Sequence, residues 1–294
     1  MDHSTTIKKL RVSKNITQKQ LCKGICSRST LAVFETKGSY LSADFLFNFL
    51  DRMNIRVDEY VLYLNINETS KTKALESLKT ARINKDEQKL AHLADEFKSF
   101  YMESLDIFWL CYAFKAKEFA EQLTEEVFDY RCYKEKHQNA INIMTSYLMK
   151  VDSWGEFELS LFGNLMHYLS STYIKMVLKR NLDRLDLSVF KNQVLLIKLF
   201  LNASIHFVEA ELLEIVPTYL NQIDPYLSFE QLHWQILSRF LKDLCLELKH
   251  DKKNIEQYKY LEVYDTMGYS NYKKTLLNFR SRQFSGGKKF WYSE

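Results

Sequence analysis

Few residues in this chain are made for turning. Seven glycines and two prolines are spread over 294 positions, whereas sheet-rich folds need frequent tight turns and recruit glycine and proline to make them. Sandwiches, barrels and glycine-loop nucleotide folds are therefore disfavoured from the start. The hydrophobic share of 46%, with 20 phenylalanines and 18 tyrosines, supplies enough apolar surface for a core and argues against disorder. An all-α protein is the expectation. At about 100–200 residues per domain, the length allows one large domain or two unequal ones.

Charge is unevenly placed. Residues 1–65 carry ten lysines and arginines against six acids, and this +4 is the whole of the chain's net charge. Such asymmetry fits either a nucleic-acid-facing module or a solvated basic face. The five cysteines (Cys22, Cys26, Cys111, Cys132 and Cys245) are scattered without a C-x-x-C pair. Cys22 and Cys26 have no histidine nearby, so no metal site is expected. Met1 to Ser13 lacks the apolar stretch of a secretory signal, and no apolar run reaches the roughly 18 residues of a membrane span. The expectation is a cytoplasmic protein with reduced thiols and no membrane partner.

Enzyme chemistry finds no support. Phosphate-loop, dinucleotide, nucleophile-elbow and H-E-x-x-H patterns are all missing from the sequence. Gly286-Gly287-Lys288-Lys289 reads as a basic tail, because no Ser or Thr follows it. No cofactor and no catalytic residue is expected.

The first 65 residues divide into five short helices. Ile7 and Leu10 stripe a basic helix ending near Ser13, and Asn15 breaks it. Thr17-Gln18-Lys19-Gln20 has the form of a capping box that opens a second helix with Leu21 inward. Gly24 is placed to stop that helix. Ser27 then caps a third, which buries Leu31 and Phe34. A fourth begins after Ser42 with Phe45, Leu46, Phe49 and Leu50, and Asp58 and Glu59 open a fifth that ends near Leu64.

Two short helices around a tight glycine turn, within about 60 residues, make a helix-turn-helix layout. In that geometry Gln18 reaches a backbone phosphate, and Arg28, Ser29 and Thr30 meet base edges from the N-terminus of the third helix. Arg11, Lys14 and Lys19 add phosphate contacts. The competing reading is a small helical domain that docks another protein.

Thr17-Gln18-Lys19-Gln20-Leu21, Gly24-Ile25-Cys26-Ser27-Arg28-Ser29-Thr30-Leu31 and Phe34-Glu35 resemble the Xre-type DNA-binding domain. More narrowly they resemble the Rgg/GadR/MutR regulators of Gram-positive bacteria, and Leu50-Asp51-Arg52-Met53-Asn54-Ile55 is similar to the end of that module. The chain departs at Ala32 and Val33, where relatives usually carry polar or basic residues. Apolar residues at these two positions either meet thymine methyls or leave the site unread, and Val33 counts among the DNA-contacting candidates.

From residue 66 onward the helical period continues. Leu90, Leu93, Ala94, Phe97, Phe100 and Tyr101 form one stripe. Leu195, Leu196, Leu199, Phe200, Ala203 and Phe207 form another. Leu237, Phe240, Leu241, Leu244, Cys245 and Leu248 form a third. Breaks near Asn84, Ser153, Asp183, Pro217–Pro225 and His250–Asn254 set a spacing of roughly 35–40 residues, like a tetratricopeptide-type array of helical hairpins. The expected domains are 1–65, a five-helix DNA-binding module, and 66–294, a helical-repeat superhelix for dimerisation and ligand binding. Trp154-Gly155-Glu156-Phe157-Glu158-Leu159 with Leu161-Phe162-Gly163-Asn164 resembles the Rgg-type C-terminal domain. Trp154 reads first as a core anchor, and His206 and His233 as ordinary core or surface histidines.

That resemblance implies a homodimer controlled by a short, often hydrophobic, signalling peptide in its helical domain, acting on a double-stranded operator in quorum sensing. Asn164, Arg180, Asn202 and Arg239 are candidates to hold a peptide main chain, with Tyr168, Phe207 and Tyr226 as aromatic walls. The alternative is a helical-repeat protein-interaction module.

Overall fold

A computed structural model describes residues 2–64, 69–125, 128–182, 190–250 and 254–284, with the side chains at 181, 182 and 190–192 outside that description. The described residues form seventeen α-helices and four short 3-10 helices, with no strand among them. They fall into two compact units, Met1–Asn84 and Lys85–Glu294.

The first unit is built from α1 (His3–Ser13), α2 (Gln18–Cys22), α3 (Arg28–Lys37), α4 (Ala43–Arg52), α5 (Val57–Leu64) and α6 (Ser70–Ile83). Helices this short are marginal alone, so their ends are fixed by side chains. Asn15 stops α1 in the left-handed region at φ +55°. The Thr17 hydroxyl accepts from the Gln20 N–H at 3.2 Å while the Gln20 amide oxygen accepts from the Thr17 N–H at 2.7 Å, closing the expected capping box. Gly24 takes φ +74° in the turn, and Ser27 and Ser42 cap α3 and α4 by accepting from Thr30 and Phe45. Ile7, Leu10, Leu21, Leu31, Phe34, Phe49, Leu50 and Tyr60 are buried together. Residues 65–68, around the boundary expected from sequence, lie outside the described residues. The two units divide one helix later, after α6.

The second unit runs through α7 (Glu87–Ser104), α8 (Ile107–Thr124), α9 (Tyr130–Lys136), α10 (Gln138–Lys150), α11 (Glu156–Leu165), α12 (Ser171–Leu182), α13 (Phe190–Glu209), α14 (Val216–Ile223), α15 (Leu232–His250), α16 (Glu262–Thr266) and α17 (Ser270–Phe284). Helices α7 and α8 pack along each other as a hairpin turned at Leu105. Next, α8 touches α10 and α11, α11 touches α13, α13 touches α14 and α15, and α15 touches α17. Neighbour packing upon neighbour is the arrangement of a helical-repeat array.

The apolar stripes behave unequally. Leu90, Leu93, Ala94 and Phe97 are buried, while Phe100 and Tyr101 are half-buried, the Phe100 ring tilted against that of Trp109 at a centroid distance of 4.8 Å. Trp154 is a core anchor as expected: its indole N–H donates to the Leu148 carbonyl and its ring meets Phe162. The Pro217–Pro225 break is only partial. Pro217 sits in the first turn of α14, where its missing N–H costs nothing, and Pro225 in a 3-10 turn. The Asp183 break and much of the His250–Asn254 break lie outside the described residues. No helix of the described residues is long and apolar enough to cross a membrane.

Candidate nucleic-acid interface and ligand cleft

Helix α3 buries Leu31, Phe34 and Glu35 and exposes Arg28, Ser29, Thr30, Val33, Thr36 and Lys37, with Ala32 half-buried. Capping by Ser27 leaves the helix N-terminus facing solvent, its hydroxyl 2.7 Å from Ser29 and 2.8 Å from Thr30. Arg28, Ser29, Thr30 and Val33 are thus brought onto one open helix, and Lys14 and Lys19 are also exposed in this unit. An exposed helix end that follows a tight turn and carries a guanidinium and hydroxyls is suited to base edges and phosphates alike.

Arg11 and Gln18, expected as phosphate contacts, also take part in a buried polar cluster. The Arg11 guanidinium donates to both oxygens of Glu35, at 2.6 and 2.8 Å, and to the Ile16 carbonyl at 2.8 Å. The Gln18 amide donates to the same carboxylate at 2.8 Å. The Glu35 side chain is fully buried and that of Arg11 only 11% exposed. A buried carboxylate needs such partners to offset its lost hydration. Burial alone would raise the Glu35 carboxyl, but the hydrogen bonds from Arg11 and Gln18 outweigh it and hold the group below the usual carboxylate range. The result is a clamp joining α1, α2 and α3. A second clamp comes from α4, where the Arg52 guanidinium donates to the carbonyls of Leu21, at 3.1 Å, and Lys23. Residue spacing gave no sign of either. Glu35 and Arg52 do lie in the stretches that carry the family resemblance.

In the second unit, the seven candidates for peptide contact are scattered. Tyr168 and Phe207 are 2% and 0% exposed. Tyr168 packs edge-on to Phe114 and Phe207 lies against Tyr219, so both rings fill the core and neither is free to wall a groove. Tyr226 is half-buried against the same core. Arg180 donates to the Met149 carbonyl at 3.2 Å. Arg239 is exposed, lying over the Tyr260 ring and 3.7 Å from Asp243. Asn164 and Asn202 are half-buried on the packed pair α11 and α13. His206 meets the Ser171 hydroxyl and His233 the Tyr264 hydroxyl, both as half-buried structural groups.

None of these residues lines a cleft found at the start of the unit. Between α7, α8 and the α9–α10 corner lies a space of about 340 Å3. Its wall is apolar along Ala94, Leu110, Ala113, Phe114, Ala140 and Ile143, with Lys98, Lys117, Lys136 and His137 around it and Asp95 and Asn139 as further polar groups. Glu121 stands 3.7 Å from Lys136 and 4.0 Å from both Lys117 and His137. Burial lowers the His137 pKa despite that carboxylate. Lys98 has no acid within 4.0 Å among the described residues. An apolar floor with an unpaired cation suits a short apolar chain bearing one negative charge. Periodicity marks the apolar side of each helix but says nothing of a gap left where small alanines face one another.

A family model for the C-terminal domain of the HTH-type transcriptional regulator Rgg matches residues 114–278. Among solved structures, the fold is similar to the Streptococcus dysgalactiae SHP pheromone receptor Rgg2, at 20% identity and a TM-score of 0.73, over 94% of this chain and 99% of that one. It is similar to PrgX in its complex with cCF10, at 14% identity and a TM-score of 0.74, over 98% and 93% of the two chains. A bacterial peptide pheromone/receptor complex matches at 15% identity and a TM-score of 0.73, over 95% and 97%.

Proposed function

The chain belongs to the Rgg family of HTH-type transcriptional regulators, and on that premise we propose that its first unit binds operator DNA through α3 and that a short peptide seated in the second unit controls it. The open N-terminal face of α3, set by the Arg11–Glu35–Gln18 clamp, is the observation that carries the DNA reading. Arg28 offers the two donors that match the O6 and N7 of guanine, while Lys14 and Lys19 neutralise phosphates. The protein acts in the cytoplasm as a homodimer, on paired half-sites one helical turn apart.

The cleft between α7, α8 and α10 receives the peptide, with apolar side chains against Phe114 and Ile143 and a carboxylate at Lys98. The similar pheromone receptors support this reading. For the peptide to switch the regulator, it must bind one dimer arrangement more tightly than the other.

Binding to genomic DNA fragments, followed as salt is raised, tests the first half: a steep loss of affinity with salt is expected, and no binding even at low salt overturns it. Arg28→Ala should weaken the specific site by about 1–3 kcal/mol and relax one base preference. A thermal-shift screen with short apolar peptides carrying one acidic group tests the second half. Ala113→Trp, which fills the cleft, should abolish the shift while DNA binding persists.

A further inference from the structure

We infer that Val33 reads the 5-methyl groups of thymines, so that each operator half-site carries T·A pairs where the middle of α3 enters the major groove. The inference rests on the DNA-binding role proposed above and adds what that role leaves open: which base pairs the helix prefers.

The placement follows from helical geometry. Leu31, Phe34 and Glu35 face the core, so at 3.6 residues per turn the line opposite them runs through Ser29, Val33 and Thr36, at i, i+4 and i+7. Val33 is the middle of that line and is 42% exposed. Single exposed apolar residues are ordinary on protein surfaces; what sets Val33 apart is its place at the centre of the outward line.

Its polar neighbours on the line are already engaged. The Thr36 hydroxyl donates to the Ala32 carbonyl at 2.7 Å, and the Ser29 hydroxyl lies 2.7 Å from that of Ser27. The half-buried Ala32 beside Val33 carries only a methyl, which permits close approach. Arg28 and Lys37, the charged residues exposed on this helix, lie to either side of the line. The centre of the face therefore presents methyl groups.

Base edges answer that chemistry unequally. In the major groove guanine, adenine and cytosine present donors and acceptors, which lose hydration against a valine without gaining a bond. Thymine alone presents a methyl group there, and burying it against Val33 is favourable. The half-site implied is a guanine under Arg28 with one or two thymines further along the axis of α3.

The test uses the full-length protein and a duplex chosen by in vitro selection. Each thymine of the selected half-site is replaced in turn by deoxyuridine, which lacks only the methyl. At one or two positions affinity should fall about three- to tenfold. With Val33→Ala that penalty should largely vanish at the same positions; the side chain is exposed and alanine favours helix, so the variant folds. Two results overturn the inference: deoxyuridine harmless at every position of a specifically bound duplex, or an undiminished penalty in Val33→Ala. If selection enriches no sequence, the DNA-binding reading itself fails and the inference with it, a result distinct from specific binding that ignores the methyls.

Discussion

Each unit closes a buried glutamate with an arginine from far along the chain, but the two pairs serve different architectures; a further buried glutamate of the second unit, Glu118, pairs with Lys115 on its own helix. In the first unit Arg11 and Glu35 lie 24 positions apart and tie together helices of five to eleven residues, with Gln18 as a third partner. In the second, Arg280 on α17 donates to Glu247 on α15, 33 positions away, and the Tyr258 hydroxyl and the Asn254 N–H complete the carboxylate. There the pair sits within an extensive apolar core that already holds long helices. Side-chain caps occur in both units. Asp2, Thr17, Ser27, Ser42 and Thr69 each accept from an N–H at a helix start in the first unit, as Asp86, Asp106 and Asp129 do in the second, where α10 and α14 begin without one. Short helices that must hold a reading edge at a set angle use directional polar bonds. Long helices in an array rely on apolar area, which is stronger in sum and less particular about angle.

The largest expected effect strikes both clamps. Glu35→Ala and Glu247→Ala each leave a buried guanidinium unpaired and should cost about 3–5 kcal/mol, seen as an earlier urea transition of the unit that carries the change. The comparison sharpens if Glu35→Ala also removes operator binding while Glu247→Ala, measured where its unit is still folded, does not. Equal loss of DNA binding in both would break it.

Acid should separate the units next. Burial lowers the pKa of His137, His167, His206 and His233, all in the second unit, with His167 pushed down to about 3. A histidine held neutral stabilises fully above its unfolded value of about 6.5, and that contribution fades as pH falls toward the folded value. Glu35 and Glu247 are held below the usual carboxylate range, so their contribution persists down to about pH 4.5 and fades only below it. The second unit should therefore soften from about pH 6.5 downward while the first holds to about 4.5. Following tryptophan fluorescence, which draws on Trp109, Trp154 and Trp234 of the second unit and on no residue before position 85, against amide exchange in α1–α5 would show it. His167→Leu should narrow the gap. Simultaneous softening of both units would contradict this account.

The smallest effect concerns the turn. Gly24 adopts φ +74° with nothing within 4 Å of where a Cβ would stand, so Gly24→Ala should cost only about 1–2 kcal/mol of left-handed strain. A larger loss would mean that the turn bears more than its backbone angle.

Local signals were the most legible. The capping box at Thr17, the glycine stop and the Ser27 and Ser42 caps depend on neighbours three residues away, and each stands as read. The apolar stripes gave the all-α class and much of the core. Long-range polar partnerships were not legible, because nothing in the spacing of Arg11 and Glu35, or Glu247 and Arg280, says that they meet. The peptide candidates show the same limit. Phe207 lies on an apolar stripe, and a stripe alone does not say whether a ring faces a groove or the centre of the core.

The α7–α8 hairpin opens the second unit, so within that unit it has repeat neighbours on one side only. In a quasi-one-dimensional stack, stability is a sum of each repeat's own contribution and its interfaces with adjacent repeats, and the terminal member is the first to fray. The cleft lies at that member. A molecule lodged against α7, α8 and α10 would thus act as a removable wedge in the junction that ties this terminal member to its neighbour. Its influence would be greatest on the first hairpin and would decay repeat by repeat toward α17. Occupancy would then be written along the array as a gradient of amide protection, steepest at α7, rather than as a uniform stiffening.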